Sequence, residues 1–142
     1  MELMPAGAKA PAWTLRSLKG VTVSSSQLRG KIILLDFSFN ECAACMLSIP
    51  VLNRLHDKYK GSNIEIATVN TSNTRESVAR FVKKNNIYYP ILLKGSKVSK
   101  DFQVSAYPTF IIIDPEGNIA ASFEGFSSAL ESSLIAQIDK LK

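Results

Sequence analysis

Two cysteines, Cys42 and Cys45, carry the plainest chemistry in this 142-residue chain. They stand where an apolar run ending at Phe39 gives way to a helical pattern beginning near Ala43. A spacing of three places both sulfurs on one side of a first helical turn, near enough to bridge. The unpaired backbone donors and positive dipole of that helix start favour a thiolate at Cys42. Exposed cysteines so placed have pKa values of roughly 3.5–7.5, against about 8.5 for a free thiol. Cys42 is then suited to attack a substrate disulfide and Cys45 to resolve the mixed disulfide. No cofactor beyond the Cys42–Cys45 bridge itself is needed. Cys45, a turn further in, is expected to be the more covered of the two. A pair of buried structural thiols is the alternative reading. Zinc fits poorly: it wants four ligands, and the sole histidine, His56, lies roughly 21 Å from Cys42 along a continuous helix. We expect no metal site, and His56 at the surface or partly covered.

Asp36 is the third residue of interest. It interrupts the apolar run Leu34-Leu35-Asp36-Phe37, on a strand expected to be covered on both faces. A lone carboxylate there is costly unless it is protonated, hydrogen-bonded or functional. Burial without a cationic neighbour raises its pKa above the reference of about 3.9. That brings it toward the range where it can accept the proton of Cys45, directly or through water. A purely structural Asp36, held by Thr68 or by backbone donors, is the competing account.

The elements that must position these residues follow from hydrophobic period and turn chemistry. Trp13 to Val23 alternates apolar and polar residues around Lys19-Gly20, which predicts a small hairpin. Ile32 to Phe39 is almost continuously apolar and predicts a doubly covered strand. From about Ala43 to Tyr59, Leu47, Val51, Leu55 and Tyr59 recur at four-residue spacing, a helical stripe that Pro50 should kink. Ile64 to Asn70 is a second strand. Asn73 and Glu76 form a capping-box pair for a helix carrying Val78, Phe81 and Val82. Tyr89 to Leu93 reads as a short edge segment, because Pro90 cannot donate to a ladder. A short helix to about Phe102 follows. Thr109 to Ile113 is a third core strand, Asp114 to Asn118 a turn, and Ile119 to Phe123 the returning arm. The final helix is predicted to open at Ser127 or Ser128 with Glu131 as capping partner, burying Leu130, Leu134, Ile138 and Leu141. The order predicts an α/β fold: a mixed central sheet flanked by helices, with an N-terminal β-hairpin extension.

Composition narrows the function. Hydrophobic residues make up 46% and charged residues 20%, as in soluble globular domains, and the length predicts one domain spanning 1–142. No unbroken apolar run is longer than six residues, far short of the ~20 that span a bilayer. The net charge of +5 is scattered over Lys83-Lys84, Lys94, Lys97, Lys100 and the Lys140/Lys142 tail. A nucleic-acid surface would gather it into one stripe with interleaved aromatic residues, so nucleic acid is not expected as a partner. Residues 1–11 show no basic start followed by an apolar stretch. Two readings stay open: a cytoplasmic protein, or a mature domain whose export signal or anchor is absent from this chain.

Taken together, these landmarks resemble the TlpA/ResA-type thiol–disulfide oxidoreductases of the thioredoxin superfamily over nearly the whole chain. The resemblance rests on Ala10-Pro-Ala-Trp-Thr-Leu15, Gly30 to Phe37, the CxxC, Ser48-Ile-Pro50, Ala106-Tyr-Pro-Thr-Phe110 and Ile113-Asp-Pro-Glu-Gly117. It implies a thioredoxin-like fold and reduction of protein disulfides outside the cytoplasm, in the periplasm or its equivalent. It also implies an upstream thiol electron donor and a monomer. Pro108 would be the cis-proline facing the dithiol, with the backbone of Tyr107 pairing with substrate. Asp36 stands six residues before the first cysteine, where thioredoxins bury an aspartate, and Thr68 replaces the lysine that often accompanies it. Glu41 stands where the family usually has tryptophan. Its charge opposes thiolate formation at Cys42 and removes an aromatic wall; it should penalise acidic substrates and favour basic ones. Ser48 occupies the position at which the family's reductases often carry glutamate.

Three other functions compete. A peroxiredoxin-type peroxidase would share the fold, but Phe39 stands where the peroxidase pattern has threonine. A non-catalytic thioredoxin-fold binding module would read Glu41 and Ser48 as decay. A copper-binding relative lacks the longer cysteine spacing and a well-placed distal histidine.

Overall fold

The computed structural model describes residues 2–142. Its central sheet has five strands in the order β5-β4-β3-β6-β7: β3 (Ile32–Ser38), β4 (Ile64–Asn70), β5 (Ile91–Leu92), β6 (Thr109–Ile113) and β7 (Ile119–Glu124). β3, β4 and β5 run parallel, and β6 and β7 are antiparallel additions. The mixed sheet is therefore as expected, and β3 lies at its centre with all seven residues buried. Side chains alternate across such a strand. Ile32 and Leu34 join a core with Leu52 and Leu55 of α2 (Ile49–Lys58), Val78 of α3 (Arg75–Lys84) and Leu134 of α5 (Leu130–Leu141). Ile33, Leu35 and Phe37 face the other way, onto Trp13 and onto Val98 and the neighbouring Phe102 at α4 (Ser96–Asp101). Phe37 and Phe102 pack with ring centroids 5.4 Å apart.

The N-terminal hairpin is β1 (Thr14–Arg16) paired antiparallel with β2 (Thr22–Ser24). Gly20 takes φ +87° in its turn, a conformation that costs glycine nothing. The hairpin also closes the open edge of the main sheet. The Leu18 amide donates to the Ile91 carbonyl and the Leu93 amide to the Arg16 carbonyl, each at 2.8 Å. Pro90, just outside β5, uses its carbonyl to accept from the Thr68 amide at 3.0 Å, so its missing donor is not needed.

Three expectations are corrected. The helical stripe after the cysteines is not one kinked helix. It is α1 (Ala43–Leu47) and α2, divided at Ser48, with Pro50 in the first turn of α2, where a proline forfeits no hydrogen bond. The cap of α3 is Thr74, whose Oγ1 accepts from the Ser77 amide at 3.2 Å, not Asn73 paired with Glu76. The last helix opens at Leu130 behind Ala129 without any side-chain cap. Glu131 instead accepts from Arg54 of α2 at 2.7 Å and 3.0 Å, tying α5 to the helix that leads from the cysteines.

Gly95 supplies a test of the packing beside β4. A Cβ there would overlap Val69 Cγ1 and stand 3.3 Å from the Asn70 carbonyl oxygen, and Val69 is fully buried. Gly95→Ala should destabilise the fold by about 1–3 kcal/mol. Val69→Ala in the same chain should recover part of that loss, read as less-than-additive shifts of the urea midpoint.

Candidate active site

The register of β3 against β4 explains why a polar site forms inside an apolar sheet. Ile32 pairs with Ile64 and Leu34 with Ile66, then Asp36 pairs with Thr68 and Ser38 with Asn70. All eight side chains share one face by alternation. That face is apolar over its first two rungs and polar over the last two. Asp36, Ser38, Thr68 and Asn70 are nonetheless buried, at 4%, 9%, 4% and 3% exposure. The polar rungs and Cys45 of α1 line one small cavity of about 20 Å³, room for a single water.

Asp36 is half satisfied there. Thr68 Oγ1 donates to its Oδ2 at 2.6 Å, while Oδ1 is buried without a hydrogen-bond partner. Burial pushes its pKa up to about 7 against the ordinary 3.8, and the Thr68 hydrogen bond moderates the rise. Tyr89, also on the cavity wall, has its hydroxyl beside the same pair. Burial first, and then the charge of Asp36, push its pKa above the usual phenol range. Tyr89 carries no motif signal in the sequence. Only its place before β5, which lies next to Thr68 in the sheet, brings it to the site.

Above this floor, Cys42 and Cys45 are joined in a disulfide. Cys42 is the N-cap of α1, and its Sγ accepts from the Cys45 amide at 3.2 Å. Charge on that sulfur therefore meets a backbone donor, the role a capping side chain plays. The expected difference in cover is absent: Cys42 is 8% and Cys45 7% exposed. Ser48 is fully buried and its hydroxyl donates to the Cys45 carbonyl at 3.0 Å. It closes α1 and brings no acid to the site. His56 is half-buried on α2. Among the described residues no group of three or more His, Cys, Asp or Glu is placed to hold a metal.

Glu41 is exposed, yet it is not free. Asn73 Nδ2 donates to its Oε1 and Oε2 at 3.0 and 3.1 Å. Tyr107 and Pro108 arrive by topology. They precede Thr109, the β6 partner of Phe37, at the end of the sheet where β3 runs into the cysteine loop. The Tyr107–Pro108 bond is cis. The Tyr107 ring packs edge-on against Phe39, with centroids 5.6 Å apart, and its hydroxyl lies 2.6 Å from Ser99 Oγ. Phe39 therefore presents a ring where a peroxidase would need a threonine hydroxyl. One end of the sheet thus gathers a dithiol, a carboxylic acid near neutrality and a water-sized cavity between them. That set can exchange disulfides and move the accompanying proton.

The state of Asp36 has a measurable consequence. Between pH 4 and 7 the folded protein holds the Asp36 proton more tightly than the unfolded chain does. This contribution to stability falls as pH rises through that window and levels off above it. Asp36→Asn removes the dependence. The variant should gain about 4 kcal/mol over the native chain at pH 8, and much less at pH 4. Urea midpoints of the oxidised protein at the two pH values measure it.

Known proteins agree with this geometry. The AhpC/TSA family matches residues 6–122. The thiol–disulfide oxidoreductase ResA of Bacillus cereus is 30% identical over 125 residues, covering 87% of this chain and 72% of its own length. Among solved structures, the thioredoxin domain of a thiol–disulfide oxidoreductase from Bacteroides vulgatus superposes with a TM-score of 0.84 at 27% identity. That match covers 95% of this chain and 99% of the other. A thiol:disulfide interchange protein from Bacteroides sp. gives 0.83 at 27% identity, over 96% and 91% of the two chains. With the CxxC disulfide, the buried aspartate beneath it and the cis-proline beside it, the chain belongs to the AhpC/TSA family of the thioredoxin superfamily, among its ResA-like thiol–disulfide oxidoreductases.

Proposed function

We propose that this protein reduces protein disulfides outside the cytoplasm, as a monomer re-reduced by an upstream thiol donor. In this reading the Cys42–Cys45 pair is the redox group and no further cofactor is required. The Cys42 thiolate attacks one sulfur of the substrate disulfide, forming a mixed disulfide and releasing a substrate thiolate. Cys45 gives its proton to the Asp36 carboxylate, through a water if one sits in the cavity, and its thiolate then attacks Cys42. The second substrate sulfur leaves with the electron pair, and the Cys42–Cys45 disulfide remains. Two electrons have passed to the substrate, and the donor dithiol restores them.

The observation that carries this reading is the cavity shared by Cys45 and Asp36, with one carboxylate oxygen unpartnered and a pKa close to 7. A general base works best with a pKa near the working pH. The Tyr107–Pro108 segment offers backbone for the substrate chain to pair with. Glu41 puts a negative charge on one side of the dithiol and favours basic substrate segments. Met46 and Leu47, 41% and 58% exposed, supply an apolar surface on α1. The extracytoplasmic assignment rests on kinship with the ResA-like group and on the persistence of such disulfides in oxidising compartments. No helix among the described residues is long and apolar enough to cross a membrane.

Two experiments test it. Cys45→Ser should trap mixed disulfides with a disulfide-bonded protein substrate such as insulin, and Cys42→Ser should not; trapping only by the Cys42 variant would reverse the roles. In stopped-flow reduction between pH 6 and 9, Asp36→Asn should slow resolution by about 10²-fold or more while leaving the first attack nearly unchanged. Equal resolving rates across that range would remove Asp36 from the mechanism, and no insulin reduction with any dithiol donor would leave only a binding module.

A further inference from the structure

A ring of polar contacts lies on the far side of the cysteine loop, and the steps above do not use it. Asn73, in the loop between β4 and α3, makes three kinds of contact at once. Its Nδ2 donates to both carboxylate oxygens of Glu41. Its Oδ1 accepts from the Asn40 amide at 2.7 Å. Its own amide donates to Asn70 Oδ1 at 2.9 Å, and Asn70 closes the ring by donating from Nδ2 to Asn40 Oδ1 at 3.1 Å. Asn70 ends β4 and is buried, so the ring is anchored to the sheet. One side chain therefore grips the backbone two residues before Cys42 and the carboxylate one residue before it.

An exposed glutamate with no partner samples many rotamers, some of which bring its charge toward the neighbouring sulfur. A carboxylate near a thiol disfavours the thiolate. We propose that Asn73 is a positioning residue for the dithiol: it holds the Glu41 carboxylate on the β4–α3 loop and thereby sets how readily Cys42 ionises. This rests on Cys42 being the attacking thiol. Other titratable groups near this loop are Asp36 and Tyr89, which line a cavity with Cys45, Tyr107 on the loop before β6, and Lys94, which lines a shallow pocket with Asn73. They are the same in every variant below and cancel in the comparison.

The test is a double-mutant cycle read by alkylation of the fully reduced protein with iodoacetamide from pH 5 to 9. Mass spectrometry assigns the modified cysteine, and neither substrate nor electron donor is required. Asn73→Ala should raise the apparent pKa of Cys42 and slow its alkylation at pH 7 by about threefold. Added salt should shrink the effect, because an exposed charge is screened. In a Glu41→Gln chain the same Asn73→Ala change should leave the Cys42 profile unmoved. Asn73→Asp, which keeps the shape and the acceptor for Asn40 but sets a second carboxylate against Glu41, should raise the Cys42 pKa further. It serves as the probe if the alanine variant fails to fold. Equal shifts with and without the Glu41 charge would show Asn73 acting through the loop alone and overturn the proposal, as would no shift in either chain. Faster alkylation at Cys45 than at Cys42 would also overturn it, by removing the assignment on which it stands. Loss of insulin reduction with the cycle intact would instead count against the proposed activity.

Discussion

The structure turns on the register that sets Asp36 beside Thr68 and Ser38 beside Asn70 at the last rungs of β3 and β4. Four buried polar side chains cannot lie under a helix unless they are paired or left a solvated gap. Thr68 takes one oxygen of Asp36, Asn70 turns its amide to the cysteine loop, and the remainder is relieved by a water-sized cavity. The dithiol sits on this imperfectly neutralised floor. An apolar pair at the same rungs would leave no carboxylate in the cavity that Cys45 lines. The acid is expensive in stability above neutral pH, and the burial that makes it so also holds its pKa near 7.

Three chain segments meet at this end of the sheet for separate physical reasons. The cysteine loop comes straight off β3, and the Cys45 amide caps back onto Cys42. The Tyr107–Pro108 segment is delivered because β6 runs antiparallel to β3, so its start lies beside the end of β3. The β4–α3 loop arrives because β4 is parallel to β3, and their carboxyl ends coincide. Such an end, outside the carboxyl edges of parallel strands, is where open α/β sheets collect their reactive groups. The division at Ser48 completes the arrangement. It ends α1 after little more than a turn and lets α2 run on to bury Leu52 and Leu55 and, through Arg54, to hold α5.

Much of this was legible in the residues. The CxxC at a strand-to-helix boundary, the apolar run broken by Asp36 and the proline ahead of a core strand all carry local signals, and each lies where those signals placed it. Asp36 was readable because a carboxylate in a doubly covered strand is anomalous whatever surrounds it. The place of Asn73 is hidden for the opposite reason. An asparagine three residues before a glutamate satisfies a local capping pattern, and nothing local says that Thr74 will take the cap and leave Asn73 for Glu41 and Asn40. The partner of Glu131 is hidden in the same way, because Arg54 is 77 positions distant and invisible to a window of four. Tyr89 gave no signal at all: its chemistry exists only because β5 lies beside β4.

The sequence by itself determined the strand and helix periods, the dithiol, the family resemblance and the presence of a buried acid, since each of these depends on neighbours within a turn or a strand. The tertiary structure alone decided which oxygen of Asp36 is left unpaired, that Cys45 and Tyr89 share its cavity, and that Asn73 restrains Glu41. Those facts depend on strand register and on contacts between residues some thirty or more positions apart, and a linear pattern carries no information about distances across a sheet.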